Sequence, residues 1–191
     1  MVKIDLQLFT PKTFIMKRKI MFFIGVVLFS YITSCKKIEE LLTFYVNDET
    51  TFTVENQFPV DIPFNIPTPD IESDSQEEFE NNNTRANLVK NIYLNKLELS
   101  ILSPEGTTFS FLESIHIFIS TDDSNEIELA FKENIDEDTK KISMETSDSR
   151  LDKYVKSDTY DLRFKLVTDE VVLNDIELKA KMRYKVTADP F

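Results

Sequence analysis

The chain is poor in the residues on which common catalytic and metal sites depend. Its 191 residues include one cysteine, one histidine, two glycines and no tryptophan. A lone cysteine cannot form an internal disulfide, and one histidine cannot build a multi-histidine metal centre. Phosphate-binding loops and nucleophile elbows need several glycines at fixed spacings, which excludes both motifs. We therefore expect no cofactor and no enzymatic activity of these common kinds.

Long apolar runs are also scarce, and the clearest one lies near the N-terminus. Residues 20–32 are thirteen uncharged positions that follow the basic cluster of Lys17, Arg18 and Lys19. A membrane-spanning helix needs about 20 apolar residues, whereas a signal peptide has a positive start and a shorter apolar core. The pattern favours a signal peptide over a transmembrane helix.

The apolar run ends in the sequence Ile32, Thr33, Ser34 and Cys35. A branched apolar residue, two small residues and a cysteine resemble the lipobox of bacterial lipoproteins. In that family the cysteine thiol receives a diacylglycerol, and a peptidase cuts before it. The resemblance implies a signal peptide over residues 1–34 and membrane attachment through lipid on Cys35. An uncleaved anchor and an incidental free thiol are the alternatives.

Two features flank this signal. Translation starting at Met16 would place the basic cluster directly after the initiator and leave residues 1–15 outside the protein. Residues 35–41 are predicted to form a lipidated tether. Its charged positions are Lys36, Lys37, Glu39 and Glu40.

Basic and then acidic residues beside the lipid resemble the export signal of surface lipoproteins in Bacteroidota. A composition rich in Asn, Lys, Ile and Phe and poor in Gly is typical of an AT-rich genome, and together with the lipobox the chain resembles a Bacteroidota lipoprotein. The resemblance implies an outer membrane lipoprotein of the cell envelope. A short charged tether is the alternative reading of residues 36–40, so the surface and the periplasmic face both stay open.

The chain after residue 34 is strongly acidic, with 17 basic and 33 acidic residues and a formal net charge of −16. Nucleic-acid binding requires a basic surface that neutralises phosphates, so we expect no nucleic-acid partner. The same charge argues against an electrostatic hold on anionic lipid headgroups. The expected contact with a membrane is through the lipid alone.

Residues 42–191 show the alternation of apolar and polar residues that is typical of half-buried strands. Seven or eight such segments, joined by polar turns, predict an all-β fold: one antiparallel β-sandwich of immunoglobulin-like kind. A barrel is the alternative. Pro59, Pro63 and Pro67 predict an edge strand or a break in the run from Phe52 to Ile66.

Two irregularities are also predicted. The apolar parity changes at Asn95 and Lys96, which indicates a β-bulge or a bend. Residues 149–157 have the spacing of one or two helical turns, and residues 133–146 have the composition of a polar connection. The acidic residues 68–84 are predicted to form a solvated loop.

Few side chains are candidates for a chemical site. The weak candidates for calcium ligands are Asp122, Asp123 and Glu126, which cluster in one predicted turn without the spacing of an EF-hand loop. We expect no metal there and a solvated turn instead. His116 lies on the polar side of a predicted strand and has no sequence signature that would pair it with a catalytic serine.

These observations predict a non-enzymatic, membrane-anchored binding or structural module whose partner is an unidentified protein or glycan. A carrier for a lipid or a small hydrophobic ligand is one alternative. A hydrolase whose site is assembled from scattered carboxylates is the other. Carboxylates that converge in one cleft would favour the hydrolase, and copurified ligand would favour the carrier.

Overall fold

The computed structural model describes residues 42–68 and 70–189. The predicted signal peptide, the lipobox with Cys35, and the charged positions 36–40 lie outside the described residues. Thr43–Phe191 is one compact unit. None of the helices within the described ranges is long and apolar enough to cross a membrane.

The described residues form ten strands and short helical turns. The strands are β1 (Thr43–Val54), β2 (Phe64–Pro67), β3 (Ile71–Glu72), β4 (Val89–Ser103), β5 (Leu112–Ser120), β6 (Ile127–Glu133), β7 (Lys141–Ser143), β8 (Glu145–Thr146), β9 (Thr159–Thr168) and β10 (Ile176–Ala188). The helices are α1 (Ser75–Asn81) and α2 (Asp152–Val155), with 3-10 turns at Ala86–Leu88 and Phe109–Phe111.

The strands make two antiparallel sheets that pack face to face. Sheet A has the order β1-β10-β4-β7, and sheet B has the order β2-β9-β5-β6-β8 with β3 against β9. The protein is therefore an all-β sandwich, as the sequence predicts. It shares with immunoglobulin domains the architecture of two antiparallel sheets around one core.

Alternate residues of the long strands fill the space between the sheets. In β1, Val46, Phe52 and Val54 are buried while their neighbours are exposed, and β9 and β10 alternate in the same way. Phe52 of sheet A stacks on Phe164 of sheet B with ring centroids 3.8 Å apart. This contact ties the two sheets together at the centre of the core.

Several sequence predictions are confirmed in detail. Asn95 is the extra residue of a bulge, because Arg183 pairs with Lys96 and Tyr184 pairs with Leu94. The run from Phe52 to Ile66 is broken: β1 ends at Val54 and β2 begins at Phe64, and both strands lie at sheet edges. The helical turn predicted within 149–157 is α2.

Two predictions of loops are wrong. Residues 68–84 contain β3 and α1, whose Phe79 is fully buried. The ring of Phe79 meets Phe44 of β1 edge to face, with centroids 6.1 Å apart. One aromatic anchor thus fixes a segment whose acidic composition favours a solvated loop. The predicted connection 133–146 likewise contains the short strands β7 and β8.

The sandwich has two distinct ends. The tether end holds the start of β1, where Thr43 pairs with Thr187, and the start of β4 at Val89 beside Ala188. The opposite end, which we call the distal end, carries the loops 55–63, 104–108, 134–140 and 169–175. Strand β1, which follows the predicted lipidated tether in sequence, therefore begins at the end of the sandwich that is remote from these four loops.

Candidate functional site

The predicted calcium candidates do not form a common site. Asp122 closes its own turn by accepting a hydrogen bond of 2.9 Å from the Ser124 amide, and Lys153 lies 3.7 Å from it. Glu126 is engaged by Arg163 in a two-pronged ion pair, with N–O distances of 2.6 and 2.7 Å. Within the described ranges, no three His, Cys, Asp or Glu side chains are grouped so that they could hold a metal ion.

His116 lies on the outer face of sheet B, as its strand parity predicts. Its Nδ1 is 2.6 Å from Oε1 of Glu128, and its ring stacks near Phe131 with centroids 5.9 Å apart. Both partners belong to the neighbouring strand β6. These contacts are the cross-strand pairs that hold adjacent strands together, and they leave the histidine with a structural role.

The distal loops carry most of the exposed apolar surface. Of the five large apolar side chains that are exposed in the described part of the chain, four belong to this end: Ile62, Leu102, Val171 and Leu173, with exposed fractions of 57%, 45%, 66% and 80%. Val172 between the last two is buried. The buried side chain anchors the loop and turns both of its neighbours outward.

Two of the distal loops are bound to each other and to the sheet ends. The Asp61 amide donates to the Thr168 carbonyl at 2.8 Å, and the Asn56 amide donates to the Asp175 carboxylate at 3.0 Å. The Thr168 hydroxyl donates to the Pro59 carbonyl at 3.2 Å. These bonds place Ile62 on a loop that adjoins the one carrying Leu173.

The four distal loops are also highly acidic. They contain one basic residue, Lys140, and nine acidic ones: Glu55, Asp61, Glu105, Asp136, Glu137, Asp138, Asp169, Glu170 and Asp175. Exposed aliphatic side chains within a polar rim are typical of protein interaction surfaces.

The alternation of apolar and polar residues did not predict this surface, because it assigned Ile62 to the core. The prolines at 59 and 63, which break the run from Phe52 to Ile66, were the signal in the sequence that could have indicated this surface.

A second concave region lies across sheet A and the edge of β1. It is a groove of about 540 Å³, whose lining includes the basic Lys96, Lys181 and Arg183 and the acidic Asp48, Glu72 and Asp74. Carboxylates and cations thus meet in one groove. This is where the hydrolase alternative would place its site.

Asp48 is the unusual member of the groove, because it points between the sheets and is only 8% exposed. Its Oδ2 accepts a hydrogen bond of 2.9 Å from the Tyr160 hydroxyl, and the Tyr184 hydroxyl lies 3.5 Å from that of Tyr160. Burial raises the pKa of Asp48, with smaller contributions from Asp74 and Glu78, while the Tyr160 hydrogen bond opposes the rise. Burial also raises the pKa values of both tyrosines.

We expect Asp48→Asn to stabilise the fold at pH 7 by roughly 1 kcal/mol. The raised pKa means that the ionised carboxylate costs stability above that pKa, and an amide oxygen can still accept from Tyr160. The cost disappears below the unfolded pKa of about 3.9, so the gain should vanish as the pH falls to that range. Urea unfolding at pH 7 and pH 3.5 measures both effects. An equal change at the two pH values would contradict this assignment.

No protein-family model matches the chain, and a search of curated proteins finds no similar sequence. Function is therefore inferred from the distal loops and the groove.

Proposed function

We propose that this chain is a lipid-anchored, non-enzymatic binding module of the cell envelope that captures a partner protein through its distal loops. The observation that carries the proposal is the cluster of Ile62, Leu102, Val171 and Leu173 at one end of the sandwich. At about 25 cal/mol per Å² of apolar surface, covering such side chains gives a substantial gain on binding.

The position of this end relative to the tether supports the proposal. Residues 36–42 separate the lipidated cysteine from the start of β1 and can span at most about 25 Å when extended. The tether end is therefore held near the bilayer. The 12 residues of β1 extend about 40 Å at the usual rise per residue. The distal loops are thereby presented away from the membrane, where a partner can reach them.

The chemistry of the distal loops indicates the kind of partner. Nine carboxylates against one lysine attract a basic surface and repel an acidic one. The aliphatic side chains require apolar groups opposite them. The partner that fits is a protein that presents apolar side chains within a basic rim.

In-cell crosslinking tests the proposal. A photoreactive residue at position 173 should give a discrete protein adduct in intact cells, whereas the same residue at the exposed Glu80, on the tether end, should not. Adding Ile62→Asp and Val171→Asp should abolish the adduct, because both charges would face an apolar contact. The matched control, Asn81→Asp with Asn83→Asp, adds the same charge at the tether end and should leave the adduct intact.

Two outcomes would contradict the proposal. One is a failure of the crosslinking: either position 173 gives no adduct, or the distal pair and the control pair of substitutions reduce the adduct equally. The other is hydrolytic activity of the purified chain that Asp48→Asn removes. That second result would move the function to the groove, whose lining includes Asp48, Glu72 and Asp74.

A further inference from the structure

The outward face of sheet A concentrates positive charge on an otherwise acidic protein. Lys179, Lys181, Arg183 and Lys185 alternate along β10, and the register brings Lys96 and Lys141 of the same sheet onto this face. We call these six residues the basic face. The strands of sheet A place Glu49, Glu98 and Glu177 on the same side, and Lys90 lies there beside Asp189. Glu72 and Asp74 line the groove on this face.

Positive charge is enriched on this side of the sheet. The described residues contain 15 basic and 31 acidic side chains. Seven of the 15 cations lie here, together with six of the 31 carboxylates and the buried Asp48. Strand alternation alone requires polar residues on an outer face, but it does not select their sign. A concentrated cationic stripe on an acidic protein indicates an anionic ligand.

Two of the cations are not neutralised by a neighbouring carboxylate. The guanidinium of Arg183 lies 3.8 Å from the centre of the Tyr45 ring, and within the described ranges neither Arg183 nor Lys185 has a carboxylate partner within 4.0 Å. At this distance the ring makes a cation–π contact with the guanidinium. Lys179 and Lys181, by contrast, share Glu49, and Lys96 and Lys141 share Glu98.

The row of cations fits a linear ligand. Alternate residues of a strand are about 6.6 Å apart, so the charges from Lys179 to Lys185 extend over about 20 Å. Glu49 and Glu98 stand between the cations, where they can accept hydrogen bonds from hydroxyl groups.

We propose that the basic face is a second binding site, which takes a strand of an anionic polysaccharide carrying sulfate or carboxylate groups. A polysaccharide supplies both the anions for Arg183 and Lys185 and the hydroxyls for the interposed carboxylates. A single strand contacts only this face. An anionic membrane would also meet the field of the surrounding acidic surface within a Debye length of about 8–10 Å, so a membrane is disfavoured.

Binding of residues 36–191 to heparin and to polygalacturonate tests the site, with neutral dextran as the reference polymer. This protein contains the compact unit Thr43–Phe191 and lacks the lipid. Arg183→Gln with Lys185→Gln should weaken binding about tenfold in dilute salt and reduce the slope of log K against log salt by roughly one to two. These two residues lie outside the distal loops, so a failure here is independent of the crosslinking result.

The matched control is Lys140→Gln with Lys165→Gln, which removes two exposed cations from elsewhere on the protein. It makes the same change in net charge and should leave the affinity within about twofold. The proposal is overturned if neither polysaccharide binds above dextran, or if both pairs of substitutions have equal effects. It is also overturned if phosphatidylglycerol vesicles bind the protein while the polysaccharides do not, which would make this face a membrane contact.

Discussion

Replacing Phe164 by alanine should lower the free energy of unfolding of the sandwich by about 4 kcal/mol. Phe164 is fully buried in β9 and stacks on Phe52 of the opposite sheet. The substitution removes a large apolar side chain, leaves a cavity between two sheets that cannot close, and ends the ring contact. A domain of this size has about 5–15 kcal/mol of stability in total, so this loss is a large part of it.

The effect is measured by urea unfolding of residues 36–191, with the midpoint falling and the slope unchanged. Phe118→Ala is the matched control. Phe118 belongs to the adjacent strand β5 but lies half-exposed on the outer face, under the guanidinium of Arg163 at 4.1 Å. Its loss should cost no more than about 1.5 kcal/mol. Comparable losses from the two substitutions would contradict the assignment of the core.

The strands could be predicted from the sequence because each long strand has one buried face and one polar face. Val46, Phe52 and Val54 show this alternation in β1, and the parity change at Asn95 revealed a bulge that the sheet register confirms. A single-residue shift reverses every side chain of a strand, so the alternation also fixes the register. The sandwich follows, since two such faces bury each other.

Helix α1 could not be predicted from local sequence. Its seven residues are mostly acidic and polar, and it is too short to be stable alone. Its position depends on long-range contacts, such as that between Phe79 and Phe44, 35 positions apart in the chain, and the hydrogen bond from Gln76 to Asp158. Composition describes the exposed side chains of such a segment and misses the buried Phe79.

The two candidate surfaces were hidden for a different reason. The net charge is a sum over the whole protein, whereas binding depends on where the positive and negative side chains lie on its surface. The distal loops combine nine carboxylates from four separate loops, and the basic face combines cations from three strands. The topology brings the four distal loops together, and it adds Lys96 and Lys141 to the four cations that alternate along β10. The net charge that argues against nucleic acid therefore does not describe the surroundings of Arg183 and Lys185, where the proposed polysaccharide site lies.

Replacing Cys35 by alanine should abolish incorporation of labelled fatty acid and leave an uncleaved precursor. In lipoproteins the same thiol carries the diacylglycerol and marks the cleavage position, so one substitution should remove both processing steps. Ser34→Ala keeps a small residue before the cysteine and should be processed normally, which makes it the matched control. The assay is metabolic labelling followed by mass measurement of the two variants and the original chain.

The Cys35→Ala variant also tests the geometry of the proposed function, through the crosslink from position 173. A single acyl chain gives only marginal membrane binding, whereas the two or three chains of a lipoprotein hold the protein durably. With the lipid lost, the precursor keeps its signal peptide and is not delivered as a lipoprotein, so the crosslink from position 173 should weaken even though the distal loops are unchanged. Unchanged labelling of Cys35→Ala would overturn the lipobox interpretation. If the original chain is labelled normally and the crosslink survives in Cys35→Ala, partner capture does not depend on membrane attachment.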